Sequence, residues 1–473
     1  MKKVFLIILL FSIVFFQIIA EKLPIQESTI GDSTFFLKVS MEFLDTFEKN
    51  NYSLWQVSEI LPFALLNIIF VFAGFGLEPA FLQSGMILLN LFFLLISVYS
   101  FFRIMDMLQL NKNLECLAFV ILFFNYFFLK EIWYNPFNNE LAVLATGLVQ
   151  VNLFLRNKRD VLLLVSFVGM FVSPFLPLIG LLFLVFPYDY HDVKISEKPI
   201  SGISKVLILS FVLLLFVLGL ISGRLEQSWT HWIGFVMSVL AFASLLYWTA
   251  KISPIEWHVA RGFVKKGISS KQIMILISGL AVVYTLLFLL SGAKKTFGIL
   301  QFYQDELVSA FQFPFDFLIS HTLYFGLLIP FSLIFLRKLI QESLFMGLGF
   351  TLILTIFLFI AIHPTSGHLV AFVPALFLGL MKVLRRYRLK GKDLVKVSLL
   401  NLSLSMFWMD FNNQMLKGAM EKRVSVDFLL RRNWTGISNP QDYLVMILVF
   451  FAILSLLFML ELGKRRYVRR IGH

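Results

Sequence analysis

Of the polar stretches that punctuate a largely apolar chain, three short ones hold the side chains best suited to chemistry. The first is Gly31-Asp32-Ser33-Thr34. A carboxylate at Asp32, close to a bilayer surface, can accept a proton from an acceptor hydroxyl or ligate a divalent cation. Asp is also a favoured N-cap, so the same residue can start a helix with no chemistry at all. The second stretch, Tyr134-Asn135-Pro136-Phe137-Asn138-Asn139-Glu140, leads straight into an apolar segment with an acid in its first turn. Glu140 either complements the helix dipole behind an Asn cap or joins Asp32 as an oxygen ligand of one Mg²⁺ or Mn²⁺ ion. The third, His363-Pro364-Thr365-Ser366-Gly367-His368, has neither zinc spacing nor an adjacent carboxylate. An ordinary wet turn is its default reading. Alternatively, His363 and His368 donate hydrogen bonds to a pyrophosphate or phosphodiester, and Gly367 lets a headgroup come close.

Basic residues add further phosphate-binding candidates. Arg423, Arg431 and Arg432 lie in the strongly basic 411–443 loop, and Lys294 opens the 293–320 loop, whose remaining charges read as solvated. Walker, GxSxG, HExxH and paired-cysteine motifs do not occur, which removes ATPase, hydrolase and zincin readings. The single cysteine, Cys116, allows neither a disulfide framework nor a thiolate metal cluster.

Apolar helices must position these groups. Of 473 residues, 59% are hydrophobic and only 15% are charged, and no domain-sized stretch escapes that pattern. Runs able to cross a hydrocarbon core of roughly 30 Å recur throughout. The expected class is therefore all-α, a polytopic membrane protein with about 12–14 transmembrane helices plus extracytoplasmic juxtamembrane helices. Net charge is +13, with lysines and arginines gathered at the ends of apolar segments in the positive-inside pattern. That excess suits anionic lipid headgroups, and without basic-aromatic interleaving no nucleic-acid partner is expected. A multi-pass protein of a bacterial inner (cytoplasmic) membrane, with its site on the extracytoplasmic face, follows.

Charge also sets the topology. Val4 to Ala20 follows Lys2 and Lys3 and reads as a retained signal anchor in preference to a cleaved signal peptide. The 21–79 loop then lies outside, its eight acids outnumbering three lysines. Within it Phe35, Val39, Phe43 and Phe47 recur at helical spacing, an amphipathic helix on the membrane surface. Ile60 to Phe75, broken by Pro62, Gly74 and Gly76, is a juxtamembrane or re-entrant helix, because a crossing would put Arg156, Lys158 and Arg159 outside. Spans are expected at Ala80 to Phe102, Cys116 to Trp133 and Leu141 to Leu155. Val161 to Phe186, interrupted by Pro174 and Pro177, forms a hairpin of two short helices. Further spans fall at about 204–222, 230–250, 272–292, 320–336, 342–362, 367–383, 394–410 and 443–461. The segment 394–410 is the weakest, being diluted by Asn401 and three serines.

In order along the chain, these pieces resemble the GT-C superfamily of integral-membrane glycosyltransferases, such as protein mannosyltransferases and lipid A aminoarabinose transferases. The resemblance rests on Asp32 near the start of the first outside loop, Glu140 at the outer start of a later helix, the Ser173-Pro174 hairpin and His368-Leu-Val-Ala-Phe-Val-Pro374. It covers residues 1–385 as a catalytic module, leaving 386–473 as C-terminal helices with the basic 411–443 loop. It implies catalytic roles for Asp32 and Glu140 and a polyprenyl-phosphate sugar donor whose tail lies among membrane lipids. The implied activity is transfer of a hexosyl or pentosyl group to an extracytoplasmic lipid, glycan or protein. An O-antigen-type polymerase or ligase and a lipid-linked glycan transporter are the competing classes.

Overall fold

The computed structural model of the protein describes residues 2–20, 22, 32–43, 54–186, 200–221, 229–252, 257–268, 271–290, 316–361, 366–387, 390–408, 448–455 and 457. Among them the chain is all helical, with no strand. The helices are α1 (Lys2–Ile19), α2 (Asp32–Met41), α3 (Leu61–Ala73), α4 (Pro79–Leu108), α5 (Lys112–Phe123), α6 (Glu140–Leu155), α7 (Arg159–Gly169) and α8 (Phe175–Val185). Then come α9 (Gly202–Ile221), α10 (Trp229–Ile252), α11 (Trp257–Ile268), α12 (Lys271–Leu290), α13 (Asp316–Phe325), α14 (Leu328–Ile334), α15 (Leu336–Phe345), α16 (Leu348–Ile360), α17 (Val373–Leu384) and α18 (Gly391–Leu404).

Local chemistry explains several of these ends. Proline at the start of α4 loses no helical hydrogen bond, because that N–H would be unpaired anyway. Asn111 caps α5, its side chain accepting from the Leu114 amide at 2.9 Å. Gly74 closes α3 in the left-handed conformation, its amide returning to the Phe70 and Val71 carbonyls.

Among the described residues three stretches are long and apolar enough to cross a membrane: Pro79–Leu108, Gly202–Ile221 and Trp232–Ile252. Lys112–Phe123 with Phe127–Tyr134, bent by 57°, makes a fourth if the pair is one span. Other expected spans are occupied by shorter apolar helices, among them α6, α8, α16 and α17. The 161–186 segment does divide, α7 and α8 packing against each other across the 170–174 turn. The 13-residue α3 rises about 20 Å, less than a hydrocarbon core.

The helices run between two ends. At one end Lys3 pairs with Asp106 and Glu115, Arg159 donates to the Leu184 carbonyl at 2.7 Å, and Arg386 pairs with Glu342. The other end gathers the 134–140 turn, the start of α2, the 170–174 turn and the turn at Ser366–Leu369. There the Asn139 amide donates to the Val172 carbonyl at 2.9 Å, and the Leu61 amide donates to Phe171 at the same distance.

One difference from the sequence expectation concerns α2. Its apolar stripe is covered by protein: Phe35, Phe36 and Val39 are buried in a cluster with Phe63, Leu66, Phe70, Leu82, Met86 and Phe137. The Phe36 and Phe63 rings stack at 4.2 Å, and the Asn67 amide donates to the Ser40 carbonyl in the last turn of α2. The stripe therefore docks on α3 and α4. Phe47 lies outside the described residues.

Asn401, expected to weaken a span, is fully buried and connects two helices and a turn. Its amide donates to the Val120 and Phe124 carbonyls at 2.9 and 2.8 Å, satisfying the end of α5, and its oxygen accepts the Leu327 amide at 2.8 Å. Gly326 sits against it with φ +60°, where a β-carbon would be strained and would strike the Asn401 side chain.

Candidate functional site

The site is built on a break in the helix that follows α5. Asn125 donates to the Leu122 carbonyl at 2.8 Å and accepts the Phe128 amide at 3.1 Å, so its side chain takes over bonds that a continuous helix would make. Phe127–Glu131 then forms one π-turn, which leads into the short helix Ile132–Tyr134. The wider turn places Lys130 and Glu131 at the end of an otherwise apolar run. Lys130 is buried, its ammonium 6.0 Å from the centre of the Tyr134 ring.

Glu140 opens α6 opposite this break and is partly exposed, as is Glu131. Asn138 ties the two together. Its oxygen accepts the Glu140 backbone amide at 2.9 Å, and its side chain hydrogen-bonds both carboxylates. The Tyr126 hydroxyl donates to Glu131 at 3.3 Å, and the Tyr324 hydroxyl donates to Glu140. Tyr324 stacks on Phe127, with centroids 5.4 Å apart, which fixes α13 against the π-turn.

Gly367 closes the other side. A β-carbon there would overlap the Glu140 carboxylate, so the Ser366–Leu369 turn meets the acid in direct contact. His321 holds that turn: its Nδ1 lies 2.9 Å from the Ser366 hydroxyl and its Nε2 lies 2.9 Å from the Ala361 carbonyl. A carbonyl only accepts, so in the neutral ring Nε2 carries the hydrogen and Nδ1 accepts from Ser366.

The start of α2 completes the arrangement. The Ser33 hydroxyl donates to the Asn135 side chain at 3.2 Å, which places residue 32 beside the 134–140 turn. Asp32 is the first residue of α2, and its side chain lies outside the described residues. Lys22, following α1, reaches the Gln17 carbonyl; burial and the neighbouring Lys130 lower its ammonium pKa to about 8.

Described parts of the three stretches thus meet at the 134–140 turn, Gly367 against Glu140 and Ser33 against Asn135. His368 is described and partly buried in the Ser366–Leu369 turn, whereas His363, Lys294, Arg423, Arg431 and Arg432 lie outside the described residues. Among the described residues no group of three His, Cys, Asp or Glu side chains converges as a metal site. Sequence reasoning missed Glu131, Tyr126, Tyr324 and His321, and held Asn138 only as part of the 134–140 turn. A signal did exist for one of them, since Glu131 follows Lys130 inside a run read as a span, and ionisable residues in such runs mark function by default. The tyrosines carried none, because only the fold brings α13 to α6. No protein-family model, curated protein or solved structure matches the chain.

Proposed function

We propose that this chain is a multi-pass protein of a bacterial inner membrane that transfers a sugar from a polyprenyl-phosphate donor to an extracytoplasmic acceptor. The observation that supports it is that the 134–140 turn is met on one side by the α2 start, at Asn135, and on the other by the Ser366–Leu369 turn, at the partly exposed Glu140. These stretches are more than 200 residues apart at the extremes, yet they share one end of the bundle. The basic groups Lys3, Arg159 and Arg386 share the other end, as a cytoplasmic face requires.

In the reaction the acceptor oxygen bonds to the anomeric carbon, and the bond from that carbon to the phosphate oxygen breaks. The polyprenyl phosphate leaves with the electron pair, and the acceptor's proton passes to a carboxylate. Glu140 is the carboxylate best held for that task, with Tyr324 and Asn138 fixing its orientation. Asp32 is the second candidate. Carboxylate oxygens are a donor set that Mg²⁺ or Mn²⁺ takes, so in this reading Asp32 and Glu140 would hold such an ion, which would supply positive charge to a phosphate leaving group. His368, and the expected His363, Lys294, Arg423, Arg431 and Arg432, supply the phosphate contacts in this reading.

Buried amides do not favour the transporter class. Asn67, Asn90, Asn139, Gln150 and Asn401 all hydrogen-bond to backbone carbonyls, which is structural work. The test uses purified protein in liposomes with a panel of polyprenyl-phosphate hexoses and pentoses, measuring release of polyprenyl phosphate. Asp32→Asn separates cap from base, because Asn caps equally well but takes up no proton. Loss of release with normal folding assigns Asp32 to proton transfer; unchanged release leaves it a cap. If no donor in the panel is turned over by the native protein, the transferase reading fails.

A further inference from the structure

Helix α11 is unlike the helices on either side of it. It stands between α10 and α12, two apolar helices of 24 and 20 residues, yet within 12 residues it carries Arg261, Lys265 and Lys266. Its two faces differ. Trp257, Ala260 and Phe263, spaced by three, turn toward the protein. The Trp257 indole donates to the Ser204 hydroxyl at 3.0 Å, Ala260 is buried, and the Phe263 ring lies 5.9 Å from that of Phe186. Arg261, Lys265 and Lys266 occupy the other arc and are exposed.

The surroundings are basic as well. Phe186 follows α8 at the end where Arg159 holds the Leu184 carbonyl, so α11 lies at the basic end of the bundle. Lys205 in the first turn of α9, Lys251 in the last turn of α10 and Lys271 at the start of α12 are all exposed. Among the described residues from 200 to 290 there is no Asp or Glu; Glu256, just before α11, lies outside them.

We infer that α11 is a docking site for the phosphate headgroup of an anionic phospholipid. This site does not depend on the transferase reading; it needs only the apolar helices beside it. Those helices fix the source of the phosphate. Val206 and Leu209 follow Lys205 on α9, Met274 and Ile275 follow Lys271 on α12, and each is more than half exposed. Such faces suit acyl chains, and a lipid lying on them brings its headgroup to the level of α11. Arg261 and Lys265 stand one turn apart on the same face, so both reach one phosphate. Cations in the last turn complement the helix dipole, which accounts for Lys265 and Lys266 but not for Arg261, a turn earlier.

The experiment counts bound lipid and needs no sugar donor. Full-length protein in neutral detergent is titrated with phosphatidylglycerol, phosphatidylcholine or soluble glycerol phosphate, and native mass spectrometry reads the molecules retained. Phosphatidylglycerol should bind about tenfold or more tightly than phosphatidylcholine, and glycerol phosphate should not displace it. In Arg261→Gln/Lys265→Gln that preference should fall about tenfold or more, at about fivefold for each cation removed from an anionic surface. Arg261→Lys/Lys265→Arg keeps the charge and should stay within about twofold of native, which separates lost charge from a disturbed helix. Lys112→Gln/Lys158→Gln removes two exposed cations from other helices at the same end and should also stay within about twofold. If the double Gln variant does not fold, Arg261→Gln alone carries the test, with about a fivefold loss. Equal retention of both lipids, displacement by glycerol phosphate, an unchanged preference in the Gln variants or an equal loss in the Lys112/Lys158 control would each overturn the lipid site.

Discussion

Helices α4 to α8 and α13 to α18 differ from α9 to α12 in how they use polar side chains. In the first group buried amides reach into neighbouring backbones: Asn125 breaks a helix, Asn139 holds the 170–174 turn, Gln150 binds the Leu176 carbonyl at 2.9 Å, and Asn401 joins α5 to the Gly326–Leu327 turn. In the second group α9, α10 and α12 are 20, 24 and 20 residues long and largely apolar, while the shorter α11 carries Arg261, Lys265 and Lys266. Only 22% of the most apolar window of α9 is buried, against 50% for α4, and Val206, Leu209, Leu213 and Leu220 point outward. An apolar face of that size suits contact with lipid or with another apolar surface. The first group therefore pins irregular backbone around a site, and the second presents a lipid-compatible surface and little else.

The largest effect that could break this contrast is at Asn401. Asn401→Leu removes three buried hydrogen bonds and leaves the Leu327 amide without its acceptor, and it should destabilise the protein by about 2–4 kcal/mol. Thermal unfolding in detergent reads this; a change below about 0.5 kcal/mol would reduce the amide network to decoration.

Gly367→Ala sharpens the contrast from the functional side. The new methyl meets the far end of the flexible Glu140 side chain, and the backbone at 367 is not in the left-handed region, so the carboxylate should move and the fold should stay. Sugar transfer should fall about tenfold or more while stability changes by less than about 1 kcal/mol. Unaltered transfer would mean that the contact with the Ser366–Leu369 turn has no bearing on the chemistry.

The smallest effect is expected on α9, where Val206→Ala and Leu209→Ala remove outward-facing groups. Each should change stability in micelles by less than about 0.5 kcal/mol. A larger loss would show that this face packs against protein.

Much of this contrast is visible in the sequence, for reasons that differ by residue. The 134–140 turn stands out because a polar cluster between apolar runs has to leave the core, and Glu140 falls where a helix must begin. Pro174 and Pro177 announce their hairpin because neither can continue a helix. The break at Asn125 is hidden, since a π-turn changes hydrogen-bond register without changing composition, and the run from Cys116 to Trp133 reads as one span. Asn401 shows a related limit: hydropathy counts a polar side chain the same whether it faces water or satisfies a buried carbonyl, as Asn401 does for Val120 and Phe124. The stripe of α2 shows its period but not its partner, and α3 and α4 cover Phe35, Phe36 and Val39. Tyr324 and His321 become site residues only through packing between segments some 180 and 45 residues apart, which no local pattern records.

The central claim is that Glu140 is the working carboxylate of a sugar transferase, and Glu140→Gln tests it most directly. Gln keeps the shape of the side chain and its place between Asn138 and Tyr324 but cannot take up a proton. In the liposome assay, release of polyprenyl phosphate should fall by about a hundredfold or more, with donor binding and thermal stability close to native. Release within about twofold of the native rate would contradict the claim and leave Glu140 as a helix-start residue and nothing more.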